Sequence, residues 1–266
     1  MAENNIAGED AATARVVNLA QAYWRCPKAD FLSHGPDWNP DRWARVLRLE
    51  GLEGFEWKPE WEKISRELIL GQWEIASSEE SALQAFFLTM AWGFGADRFG
   101  RWKTLEMFKS MSEQNFGSYL LKVKGRARES SDEAYRSLLE QGIKQLGPVY
   151  ASKLLYAMSP RGHRSPVMDM WIERWGKPNS NEFRLDFAVK STWSIEDNAQ
   201  GLKRFTDFCQ QALNEVNTIK SSLRPESEND VGFMEYLIFW DAKYRMKKTW
   251  QKSNNFPAWV QDEMLG

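Results

Sequence analysis

Apolar residues recur at helical spacing along most of this chain and almost nowhere alternate one-for-one with polar ones. From Ala11 onward, Val16, Val17, Leu19, Ala20 and Tyr23 fall on one stripe, which Pro27 ends. The spacing predicts a short helix over Pro40–Leu49 and another over Glu60–Ile75. Ser77-Ser-Glu-Glu80 reads as a capping box opening an apolar helix through Ala85, Phe86, Phe87, Leu88 and Met90, which Trp92-Gly-Phe-Gly95 should break. Trp102–Ser110 reads as helical. Ser130-Ser-Asp-Glu133 is a second capping box, for a helix ending near Gly142. Further helices are expected over Met168–Trp175, Asn198–Leu223 and Val231–Tyr244. The fold class that follows is all-α, with strands short or absent.

The pattern divides the chain into a polar, frayed terminus over residues 1–10, a Trp-rich helical segment over 11–75 with Trp38, Trp43, Trp57 and Trp61, and a main helical domain over 76–266. At 266 residues, 42% hydrophobic and with 14 Trp, the chain can bury a large core. No apolar run approaches the roughly 18 residues that a membrane span needs, and no secretory leader is evident. Cys26 and Cys209 match no metal-ligand spacing, which points to a reducing, cytoplasmic setting and to no catalytic metal. A net charge of -2 excludes a wholly basic nucleic-acid coat but leaves room for a local basic face. Two short basic runs qualify: Lys122, Lys124, Arg126 and Arg128, then Lys243, Arg245, Lys247 and Lys248. On composition alone the plain reading of each is solvated surface.

The stretch from Tyr135 to Ser159 is more specific. Gly142-Ile-Lys-Gln-Leu-Gly-Pro148 cannot continue a helix, and Pro148 suits the first turn of the next one. The unit is helix, tight hairpin, helix. A glycine hairpin feeding a helix N-terminus presents backbone N–H groups that suit a phosphate, although an ordinary αα-turn has the same outline.

Ser159-Pro-Arg-Gly-His-Arg-Ser165 follows, then Pro166-Val-Met-Asp169-Met-Trp171. Together these segments resemble the helix-hairpin-helix DNA glycosylase superfamily, in its 8-oxoguanine DNA glycosylase form. Leu146-Gly147 matches the end of the family's hairpin, and Pro166, Val167 and Asp169 match its closing Pro-Val-Asp with one residue inserted. The resemblance covers about 30 residues; Ile143-Lys-Gln lacks the usual Pro-Gly, and residues 1–75 do not resemble the β-rich N-terminal domain of the eukaryotic enzymes. It implies two helical lobes flanking a cleft, with 76–266 as the glycosylase-like domain, and a hydrolase of base excision repair acting on double-stranded DNA that carries a modified base.

The resemblance also distributes roles. With Gly147 and Ala151 aligned, the family's catalytic-lysine position falls on Val149, which has no nucleophile. Lys153 lies one turn further along the same face and is the candidate for a relocated nucleophile. Asp169 is the candidate carboxylate, stabilising positive charge at the sugar or activating the attacking group. Gly147, Val149 and Tyr150 at the hairpin, with Arg161, His163 and Arg164 in the following loop, are candidate DNA-phosphate contacts. Trp171, Phe239 and Asp241 are candidate walls of a base pocket, whereas Phe233, Tyr236 and Trp240 read as core. Trp92 and Gly93 read equally as packing, and His34 carries no signal. The family implies no cofactor beyond a monovalent cation held by hairpin carbonyls. A second reading is a catalytically inactive module that binds a modified base or nucleic acid, as an accessory beside a protein partner in bacterial anti-phage defence. A third is a helical interaction domain whose Trp residues form core and interface.

Overall fold

The computed structural model describes residues 2–26, 30–36, 39–49, 63–95, 98–176, 185, 188–219, 229–246, 257 and 259–260. Among them no strand occurs, so the all-α expectation holds. The expectations for Pro27, Trp38, Trp57, Trp61, Lys247 and Lys248 lie outside the described residues.

The chain forms two units, and their boundaries are not those that composition suggests. One unit joins Met1–Phe31 to Arg164–Gly266; the other is Leu32–His163. The divide at residue 75 is absent because helices on either side of it pack together, and the first helix belongs with the last ones. Composition along a chain cannot register such a return.

In the Leu32–His163 unit the helices are α2 (Pro40–Leu49), α3 (Arg66–Ile75), α4 (Glu79–Phe94), α5 (Arg98–Phe108), α6 (Glu113–Glu129), α7 (Ser131–Glu140) and α8 (Pro148–Met158). Helix α4 is the pivot, packing against α3, α5, α6 and α8. Its residues from Ala82 to Ala91 are buried almost all round, as an apolar helix without a polar face must be. Phe86 meets Phe116 of α6 edge-on at 4.9 Å. The capping box that starts α4 is shifted by one residue: Ser78 is the N-cap and accepts from the Ser81 N–H, while Ser81 Oγ accepts from the Ser78 N–H. Gly93 stays within the helix, and Gly95, at φ 57°, ends it. Helix α3 starts at Arg66, later than expected, where the Ser65 hydroxyl accepts the Leu68 N–H at 3.2 Å.

Helix α6 escapes the periodicity reading, and half of its basic run is structural. Lys124 is 8% exposed and donates to the carbonyls of Glu74 and Ala76, closing the C-terminus of α3. Burial lowers its pKa, with Arg128 adding to the effect and Glu74 opposing it. Arg126 reaches the Ser137 hydroxyl on α7.

The other unit contains α1 (Ala2–Arg25), α9 (Met170–Gly176), α10 (Ile195–Thr218) and α11 (Val231–Met246). Helix α1 already runs from Ala2, so residues 2–10 continue the helix that carries the Val16–Tyr23 stripe. Tyr23, Phe31, Phe233, Tyr236 and Trp259 form one aromatic cluster, and the Tyr23 hydroxyl accepts the Phe31 N–H at 2.7 Å.

Helix α10 lies so close to residue 188 that a Cβ on Gly201 would sit 1.9 Å from the Ala188 carbonyl oxygen. In an open helix Gly→Ala gains roughly 1 kcal/mol. Here the collision with backbone reverses the sign. Gly201→Ala is expected to destabilise by about 1–3 kcal/mol, read as a lower urea midpoint; a raised midpoint would refute this close approach.

Candidate functional site

The hairpin between α7 and α8 is built from main-chain bonds. Gly142 and Gln145 take left-handed conformations at φ 67° and 65°. The first suits glycine; the second places a side chain where L-residues pay roughly 1–2 kcal/mol. The Leu146 N–H donates to the Ile143 carbonyl and the Gly147 N–H to the Gln145 carbonyl. Gly147 is the N-cap of α8 and Pro148 its first residue. The N–H groups of Tyr150 and Ala151 fold back onto the Gly147 carbonyl, whereas the Val149 N–H has no backbone acceptor among the described residues. Tyr135 of α7 donates its hydroxyl to the Pro148 carbonyl at 3.2 Å, locking the two helices. Burial pushes that phenol well above its ordinary range, so it stays a neutral donor.

Helix α8 is unbroken from Pro148 to Met158, so Val149 and Lys153 share a face. Lys153 is half-buried and donates its ammonium to the Gly93 carbonyl of α4 at 2.9 Å. The ammonium also lies 5.9 Å from the Trp92 ring centre and 5.6 Å from that of Tyr150. Gly93 leaves the space this needs: a Cβ there would approach Lys153 Cδ to 3.0 Å. Lys153 is thus a positioned lysine rather than a freely rotating surface one.

The same wall continues on both sides. Trp92 stacks on Tyr156 at 6.3 Å, with the Arg66 guanidinium over both rings and Arg66 itself 3% exposed. Phe94 packs on Tyr150 at 4.3 Å, with Lys103 over both. Sequence reasoning missed this alternation of cations and rings. Its one visible sign was the density of aromatic and glycine residues at Trp92–Gly95.

In the loop after α8, Arg161 and His163 are exposed, and the His163 carbonyl accepts the Ser131 hydroxyl at the start of α7. These residues, with Gly147, Val149, Tyr150 and Lys153, belong to the Leu32–His163 unit.

The remaining candidates lie in the other unit. Asp169 caps α9: its Oδ1 accepts the Trp171 N–H at 2.8 Å and the Ile172 N–H at 3.1 Å. Its second oxygen has no bonded partner among the described residues, and the side chain is half-exposed. Trp171 is half-buried beneath the Arg174 guanidinium. Arg164 pairs at 2.8 Å with Asp230, whose other oxygen accepts the Gly232 N–H at the start of α11. It is therefore engaged in holding α11 instead of pointing outward as a phosphate contact. Phe239 is half-buried, with the Lys243 ammonium over its ring.

Asp241 differs from its expected place in a pocket wall. It is 0% exposed, and its carboxylate takes Arg15 of α1, Arg245 of α11 and the Trp175 indole N–H of α9. Both oxygens are occupied by the protein, which is the environment of a charge that joins helices.

Residues 29–227 match the family model described as "Putative 8-oxoguanine DNA glycosylase OGG-like protein". No curated protein and no solved structure matches the chain. The matched segment contains the hairpin, Lys153 and Asp169, and stops before α11 with Phe239 and Asp241. Since it spans most of the 266 residues, the chain belongs to this 8-oxoguanine DNA glycosylase-like family.

Proposed function

We propose that the protein removes an oxidised or otherwise modified guanine from double-stranded DNA, with Lys153 as nucleophile and Asp169 as the catalytic carboxylate. A DNA glycosylase-like role follows from the family; the base and the residues are our reading. The observation that supports it best is the fixed position of Lys153, one turn from the hairpin on the face of Val149 and held by the Gly93 carbonyl.

A modified base must leave the stack to be cut. The hairpin tip, with the Val149 N–H at the head of α8, would take a DNA phosphate. Arg161 and His163 would extend that contact. The carbonyls of Ile143 and Gln145 each accept one N–H and keep a second lone pair for a monovalent cation, which would stiffen the hairpin around the phosphate. After giving up a proton to solvent, Lys153 would attack C1′ as the neutral amine while the C1′–N9 electron pair leaves with the base, which takes up a proton; loss of the amine proton and cleavage of the C1′–O4′ bond would then give the Schiff base. Asp169 would offer its second oxygen to the positive charge that develops at the sugar. Trp171 and Phe239 would serve as stacking walls.

Val149 at the family's lysine position favours a second reading. In it the protein recognises a modified base without cutting it, as an accessory of anti-phage defence.

Borohydride trapping tests the first reading. Duplexes bearing an abasic site, 8-oxoguanine or a deazaguanine are mixed with the protein and with Lys153→Ala. A covalent band that disappears in the variant is the expected result. Base release without any band would replace the lysine with an Asp169-activated water. Tight binding with neither band nor release would establish the recognition module.

A further inference from the structure

Helix α5 carries an aromatic surface that neither the hairpin nor the Lys153 environment uses. Phe99 is 56% and Trp102 51% exposed, and their spacing puts both on one side of the helix. The opposite side is clamped. A Cβ on Gly100 would lie 2.3 Å from Phe94 Cβ, Thr104 donates its hydroxyl back to the Gly100 carbonyl, and Leu105 and Met107 are buried. The two large rings therefore have no room to turn inward without unseating the helix.

This surface is continuous with the hairpin in two places. Lys103 places its ammonium 5.7 Å from the ring centre of Tyr150, in the first turn of α8. Beyond the end of α5, the Ser110 hydroxyl accepts the N–H of Lys144, in the hairpin itself. The charge along the helix is net positive, with Arg101, Lys103 and Lys109 against Glu106, and Lys103 falls one turn after Phe99 as Glu106 falls one turn after Trp102. Exposed rings on a net-basic helix that adjoins the hairpin suit nucleic-acid bases and phosphates better than an apolar protein surface. Paired bases inside a duplex offer no faces to such rings; unpaired bases do.

We propose that α5 is a stacking platform for unpaired DNA bases next to the strand held by the hairpin, with Trp102 and Phe99 on base faces and Arg101, Lys103 and Lys109 along the phosphates. The substrate class is then DNA with a gap, fork or single-stranded flank. The proposal rests on the reading of the protein as acting on DNA.

The test is an anisotropy titration of the full chain with a fully paired duplex and with the same sequence carrying a short single-stranded gap. The wild-type protein should prefer the gapped DNA. Trp102→Ala with Phe99→Ala should weaken gapped binding about tenfold to a hundredfold and leave paired binding unchanged. Trp102→Phe should keep most of the preference, and Arg161→Ala should weaken both substrates alike. Unchanged gapped affinity in the double variant would overturn the platform and hand the patch to a protein partner; so would an equal loss on both substrates. No binding of wild-type protein to either DNA would overturn the DNA reading itself, and the platform with it.

Discussion

Asp241→Ala is expected to cost the fold about 3–5 kcal/mol, the range found when one partner of a buried ion pair is removed. The carboxylate is fully enclosed and holds Arg15, Arg245 and the Trp175 indole N–H. Alanine would leave two guanidinium groups beside a void and a buried N–H without its acceptor. Three helices, α1, α9 and α11, lose their common anchor at once. Against a total stability of about 5–15 kcal/mol, that is a large share. Asp241→Asn supplies the comparison. It keeps an oxygen for one donor and removes the charge, so its loss should be smaller but of the same sign. Urea denaturation of the two variants gives the answer directly. A base-pocket role would reverse the pattern, with Asp241→Asn losing base release at wild-type stability.

That residue also marks what the sequence could and could not reveal. An aspartate on an aromatic helix looks the same whether it faces a ligand or two arginines. Its partner Arg15 is far away along the chain, and no local pattern connects them. The same limit explains the basic run on α6. Lys122 and Arg128 are exposed, as solvated charge should be, yet Lys124 is folded onto the end of α3 by contacts that only packing creates. Local chemistry was legible by contrast. Gly147 and Pro148 announced the start of α8, and Ser130 announced α7, because a cap or a turn is decided within a few residues. Where a reading slipped by one residue, as at Ser78, two adjacent serines offered the same cap and geometry chose between them. Lys153 lies between these cases. Its place on the helix face is a matter of spacing, but its partner Gly93 is on another helix, and only the fold brings the carbonyl to the ammonium.

Asp169→Asn is expected to keep the fold and lose base release by about 10²–10⁴-fold. The reason is that the side chain does two separable things. Its Oδ1 accepts the Trp171 and Ile172 N–H groups at the head of α9, a task that asparagine or serine performs nearly as well. Only the carboxylate carries the negative charge that a developing sugar cation requires. Asp169→Ser should therefore behave like Asp169→Asn, with stability near wild type and activity lost. Asp169→Ala should lose activity to the same degree and about 1 kcal/mol of stability besides, because the cap goes too. Melting curves and single-turnover base release on the four proteins separate the two jobs. If activity follows stability across the series, Asp169 is a cap alone and the chemistry must be sought elsewhere. If activity falls wherever the charge is absent, and stability only where the cap is absent, the carboxylate acts on the DNA.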